Sequence, residues 1–200
     1  ERRQEPRDDI LSGLVAAEVD ERRLTDEEVL AHIRLLFSAG ASTTTDALGN
    51  LIYTLLAEPE RWQALLAEPA LRAGAIEELL RWEPPVAVLP RLSAPHAIEF
   101  HGTEIPPATF CLFAIAAANR DPSVFEQPEV FDLHRDSSKK LLSFGPGPRL
   151  CPGMHLARRQ LAVALDVILE RLPGLQLRER EAASPRGAIL RGPARLPVGW

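Results

Sequence analysis

The chain has 200 residues, 46% of them apolar, enough to bury one sizeable core in one or two domains. Its net charge of −5, with Lys and Arg scattered, argues against nucleic acid as a partner, because phosphate binding wants a clustered basic surface. Cys111 and Cys151 lie far apart without C-x-x-C spacing, so neither a disulfide framework nor a zinc knuckle is indicated. No apolar stretch reaches the length of a membrane span and no signal peptide opens the chain, which predicts a cytoplasmic protein with no membrane segment here.

In chain order, Ile10, Leu11, Leu14 and Val15 share one face of a short helix with Asp8 as its cap, and a turn follows near Arg22. Thr25-Asp-Glu-Glu28 reads as a capping box for a long helix that meets no breaker except Gly40 before Ala57. Pro59 and Pro69 bracket another helix, and a stronger one runs from Ala70 to Trp82 before Pro84 and Pro85 stop it. Between Val86 and Ala118, the runs Val86–Leu89, Ala97–Phe100 and Thr109–Phe113 predict a small sheet. Asn119 to Leu142 is polar and irregular, a long ordered meander; a last helix starts at Pro152 and ends before Pro173; the tail from Leu175 to Val198 supplies a closing hairpin. The predicted fold class is mainly α with a minor β-sheet (α+β).

The chemistry concentrates in Phe144-Gly-Pro-Gly-Pro-Arg-Leu-Cys-Pro-Gly153. A lone Cys is ordinarily a small buried apolar side chain. Here Gly147 and Gly153 strip side chains where backbone must pass close to something flat, and Pro146 and Pro148 restrict the loop. Pro152 suits a first helical position, which would put Cys151 at a helix amino terminus that favours thiolate. An anionic sulfur needs a cation; iron in a porphyrin supplies one, and Arg149 can reach a propionate.

Phe144, Gly147, Arg149, Cys151 and Gly153 match F-x-x-G-x-R/H-x-C-x-G, and on these residues the chain resembles the cytochrome P-450 family of heme-thiolate monooxygenases, bacterial soluble type. Two further motifs stand in the family's order. Glu78-Leu-Leu-Arg81 read alone is a weak exposed pair; the resemblance implies a buried network that Arg135 completes. Ala39-Gly40-Ala-Ser42-Thr43-Thr44 places Gly and β-branched residues inside a helix, where they are poor formers. Read alone this is a small-residue packing face; the resemblance implies a dioxygen groove with Thr43 as the proton-delivering hydroxyl, while Ser42 stands where the family usually carries an acid. Arg91 resembles a second propionate-binding arginine.

The resemblance further implies heme b (iron protoporphyrin IX) held by Cys151, dioxygen as co-substrate, and hydroxylation or epoxidation of a small apolar substrate lined by Phe37, Ala39, Gly40, Thr43, Val86, Ala87, Val88, Ala188 and Ile189. An electron-donor protein of ferredoxin or flavodoxin type would dock beside the loop, near Lys139, Lys140, Arg158 and Arg159. Residues 1–200 correspond to the carboxy-terminal heme-binding portion of one such domain. With the amino-terminal half missing, the expectation is an inactive fragment that self-associates through uncovered apolar surface. The alternative is a heme-binding but non-oxygenase, or truncated and inactive, relative.

Overall fold

The computed structural model describes every residue except Asp20, Ser138 and Lys139. The chain forms two compact units, residues 1–42 and 43–200.

In the first unit, α1 (Ile10–Ala16) is capped by Asp9, whose carboxylate accepts the Ser12 N–H at 2.7 Å, rather than by Asp8. Its expected apolar face is not buried: Ile10 and Leu11 are exposed and the buried side chain is Ser12. The turn near Arg22 is a two-stranded hairpin, β1 (Glu18–Val19) against β2 (Arg22–Arg23). The capping box forms as the sequence indicates, Thr25 N–H donating to Glu28 Oε2 at 2.8 Å and Glu28 N–H to Thr25 Oγ1 at 3.2 Å. It opens α2 (Asp26–Ala57), a helix of 32 residues that is α-helical through Gly40, Ser42 and Thr43.

In the second unit, Leu51, Leu55 and Ile52 of α2 pack with Trp62 and Leu65 of α3 (Pro59–Ala67) and with Ile76, Leu79 and Leu80 of α4 (Leu71–Trp82). The Val86–Leu89 run is not a strand. Strand β3 is Leu89–Leu92, and the expected single sheet is two separate pairs, β4 (Ile98–Phe100) with β5 (Thr103–Ile105), and β3 with β6 (Phe110–Phe113). Helix α5 (Ile115–Ala118) leads into the meander.

Helix α6 (Met154–Arg171) closes the core with Leu161, Leu165 and Leu169, four residues apart and so on one face. The tail pairs β7 (Gln176–Leu177) with β8 (Val198–Gly199), with α7 (Arg180–Ala183) between them. The tail lies against α2: a Cβ on Gly192 would sit 2.5 Å from an Asp46 carboxylate oxygen, so a side chain there would require Asp46 to move. Buried Asn50 of α2 donates to Glu83 O at 3.2 Å and Arg191 O at 3.0 Å, tying α2 to the end of α4 and to the tail.

Since Leu165 is fully buried while Val163 on the same helix is exposed, Leu165→Ala is expected to cost roughly 2–5 kcal/mol and Val163→Ala within about 0.5 kcal/mol, read from urea unfolding midpoints.

Candidate heme-thiolate site

Glu78 and Arg81 lie on the buried face of α4, and both side chains are 0% exposed. Arg81 has five N–H donors and uses all of them. Nε and Nη2 reach the two Glu78 oxygens at 2.9 and 2.8 Å, Nη1 reaches Asn119 O at 3.0 Å and Pro128 O at 2.8 Å, and the remaining Nη2 hydrogen reaches Val130 O at 3.1 Å. Glu78 is equally committed. Besides Arg81, it accepts Arg135 Nε at 3.1 Å, Asp132 N–H at 3.0 Å and Ser137 Oγ at 2.5 Å. Burial pushes the Glu78 carboxyl up, but the Arg81, Ser137 and Asp132 hydrogen bonds outweigh it and hold the group below its ordinary value. Arg135 also donates to Glu126 O at 2.6 Å and Gln127 O at 3.2 Å, so Arg81 and Arg135 between them hold the carbonyls of Asn119, Glu126, Gln127, Pro128 and Val130.

The network continues to the ligand loop. Asn119, 0% exposed, donates to Ser143 Oγ at 2.8 Å and accepts Leu142 N–H at 2.7 Å, while Ser143 Oγ donates to Leu80 O at 2.5 Å. The residue before Phe144 is thereby bonded to α4. Phe144 packs against the core, and its carbonyl accepts the Cys151 N–H at 2.9 Å, closing the loop. Within that closure Gly145 and Gly147 have φ of 70° and 71°, the left-handed region that side chains avoid. Gly147 needs glycine for its backbone, since a Cβ there would meet nothing within 4 Å. Gly153 is not left-handed, and a Cβ there would make an ordinary 3.9 Å contact with Cys151 Sγ.

The expected helix start at Pro152 is corrected. A 3-10 turn, Gly147–Arg149, precedes the cysteine, Gly153 caps α6, and the first helical residue is Met154, whose N–H donates to Cys151 O at 3.3 Å. Cys151 therefore lies two residues ahead of the cap, where the dipole of the helix has less hold on the sulfur. The thiol is free, half-buried and without a hydrogen-bond partner among the described residues. Arg149 is exposed and has no carboxylate partner among them; Arg91, on β3, donates only to its neighbour Pro90 O, at 2.8 Å. A free sulfur ligand on a closed loop with open space beside Gly147, and two guanidinium groups without carboxylate partners among the described residues, suit an iron porphyrin with two propionates.

The apolar residues predicted as lining divide. Val86 bridges Leu190, and Ala87 N–H donates to Ile189 O at 2.9 Å, so the structure brings Val86–Val88 and Ala188–Ile189 together. Ala87 is buried, which leaves Val86, Val88, Ala188 and Ile189 accessible. Phe37, Ala39, Gly40 and Ser42 are exposed on α2 in the first unit, and Thr43 is half-buried at the start of the second. Of the cations expected beside the loop, Lys140 and Arg159 are exposed and Lys139 lies outside the described residues. Arg158 does not belong with them: it is paired bidentately with Glu77 and half-buried.

Ser137, Ser143 and Gly145 went unread in the sequence, and Asn119 reads there only as the start of the meander. Gly145 alone carried a local signal, as a second glycine in a loop already marked by Gly147.

The family model for cytochrome P450 matches residues 1–186. Cytochrome P450 107B1 of Saccharopolyspora erythraea is 38% identical, over 98% of this chain and 49% of its own length. Mycinamicin IV hydroxylase/epoxidase of Micromonospora griseorubida is 38% identical, over 100% of this chain and 51% of its own. Among solved structures, cytochrome P450 CYP109Q5 from Chondromyces apiculatus superposes with a TM-score of 0.91 at 39% identity, covering 98% of this chain and 50% of that one. The chain thus spans about half the length of the relatives it matches.

Replacing Glu78 with Gln leaves the Arg81 charge buried without its counter-ion and is expected to cost roughly 3–5 kcal/mol. Because the folded-state value is depressed, the Glu78 contribution is complete above the ordinary 4.5 and is lost as pH falls through the folded value. Urea midpoints of the wild type should therefore drop more steeply below about pH 4.5 than those of Glu78→Gln.

Proposed function

The chain belongs to the cytochrome P450 family, and from that premise we propose that it forms the thiolate side of a cytoplasmic heme monooxygenase that hydroxylates or epoxidises a small apolar substrate. The observation that carries this reading is the Cys151 loop: a free sulfur on a backbone pinned by the Phe144 carbonyl and shaped by two left-handed glycines. Cys151 would hold the iron of heme b through Sγ, Phe144 and Gly147 would shape the surface facing the ring, and Arg149 and Arg91 would pair with its propionates. When bound, the heme supplies the two-electron activation of dioxygen from which one oxygen atom passes into a C–H bond or a double bond.

The polypeptide's part is to orient, exclude water and move protons. Thr43 presents a hydroxyl that can pass a proton on from water. Ser42 cannot supply one as an acid would, because a hydroxyl does not titrate near neutral pH, so the relay at Thr43 draws directly on solvent. Val86, Val88, Ala188 and Ile189 of the second unit supply apolar lining that selects against charged substrates. The named action of the Micromonospora relative, hydroxylation and epoxidation, supports the same pair of outcomes here.

Electrons would come from a ferredoxin or flavodoxin meeting the exposed Lys140 and Arg159. Exposed Leu35 and Phe37 on α2, and Val163 and Val167 on α6, support self-association of the 200-residue chain.

Cys151→Ser in heme-loaded protein is expected to abolish the red-shifted ferrous–CO band of thiolate-ligated heme, while Cys111→Ser leaves it intact; equal spectra would refute the ligand assignment. Thr43→Ala should keep consuming reductant yet yield less product per electron, at least tenfold less if the hydroxyl is the main proton source. An unchanged ratio would remove Thr43 from the relay.

A further inference from the structure

Glu77 and Arg158 belong neither to the buried network nor to the ligand loop, yet they join both to α6. Glu77 is on α4, directly before Glu78. Arg158 donates Nε–H to Glu77 Oε1 at 2.6 Å and Nη2–H to Oε2 at 2.8 Å, a two-pronged pair with side chains only 26% and 16% exposed. The same guanidinium lies with its carbon 4.6 Å from the centroid of the Phe144 ring. Its edge is thus fixed by a carboxylate and its face by an aromatic ring. A bidentate pair sets direction as well as energy, and a cation over a ring face is attracted by the ring's quadrupole. A solvated surface arginine has neither restraint. Phe144 is also the residue whose carbonyl receives the Cys151 N–H at 2.9 Å.

We propose that the Glu77–Arg158 pair is a clamp on Phe144, and through the Phe144 carbonyl on the backbone of Cys151, which makes Arg158 a positioning residue for the ligand loop and not a docking cation. That the sulfur is a heme ligand rests on the function proposed above. The clamp is a property of the polypeptide and can be tested separately.

Amide hydrogen exchange at Cys151 reads the clamp in heme-free protein, with the Leu165 amide in the core as the reference for global opening. Arg158→Ala is expected to speed Cys151 exchange at least tenfold relative to Leu165, a loss of about 1.4 kcal/mol of local protection. Arg158→Lys keeps charge without the fork and should lose most of the same protection; it serves where the alanine variant folds poorly. The double variant Glu77→Arg with Arg158→Glu restores an ion pair but puts no cation over the ring, so it should recover thermal stability and leave Cys151 fast. In heme-loaded protein, Arg158→Ala should shift the ferrous–CO band or the reduction potential, while the salt dependence of reduction by the partner stays that of the wild type. Equal Cys151 protection in wild type and Arg158→Ala overturns the clamp. Full recovery in the double variant overturns the role of the ring. A weakened salt dependence restores Arg158 as a docking cation. Faster exchange with an unaltered heme spectrum upholds the clamp and counts against Cys151 as the ligand.

Discussion

The second unit depends on one ion pair placed where water cannot reach it. Two charges taken out of solvent are tolerated only when every hydrogen-bonding position is used, since the desolvation cost otherwise exceeds the attraction. Arg81 meets that condition with five donors and five acceptors, three of them backbone carbonyls of the meander. Those carbonyls belong to a stretch with no ladder of its own among the described residues. An irregular segment can be ordered only if its polar backbone finds partners elsewhere, and here a guanidinium supplies them. The pair is thus less a source of net stability than a reason for a single meander conformation.

Order in the meander reaches the cysteine by way of Asn119 and Ser143. Asn119 offers its carbonyl to Arg81, its amide to Ser143 and its side-chain oxygen to Leu142, so one buried residue passes the geometry of α4 to the start of the ligand loop. From the other side, α6 returns through Arg158 to Glu77 and Phe144. The loop is held at both ends by α4 residues or by groups bonded to them. Its own glycines set only the shape between those ends.

Most of this was legible where the signal was local. The Thr25–Glu28 box, the prolines around α3 and α4, and the spacing of Phe144, Gly147, Arg149, Cys151 and Gly153 depend on near neighbours, and the first two of these features form as read. What escaped depended on distant partners. Val86–Leu89 alternates like a strand, but its actual partners are the tail and α5, so only an isolated bridge forms and the strand begins at Leu89. Pro152 satisfies the rule for a first helical residue, yet the chain bends at Gly153 before α6 begins. Ser137, Asn119 and Asn50 are ordinary polar residues in the sequence; their burial follows from partners 24 to 141 positions away, the Ser143 hydroxyl for Asn119, the Glu78 carboxylate for Ser137 and the Arg191 carbonyl for Asn50.

This division explains where the sequence can depart from the family pattern without loss of fold. Glu78 sits on five hydrogen bonds in a dry site, so any other residue there strands Arg81. Ser42 is exposed on a helix that is α-helical on both sides of it, and neither burial nor packing in its own unit dictates its identity. A hydroxyl at that exposed helical position has no packing role in its own unit. Under the function proposed above, the substitution would bear on where the proton comes from, with Thr43, one residue on and half-buried, as the hydroxyl that would carry it.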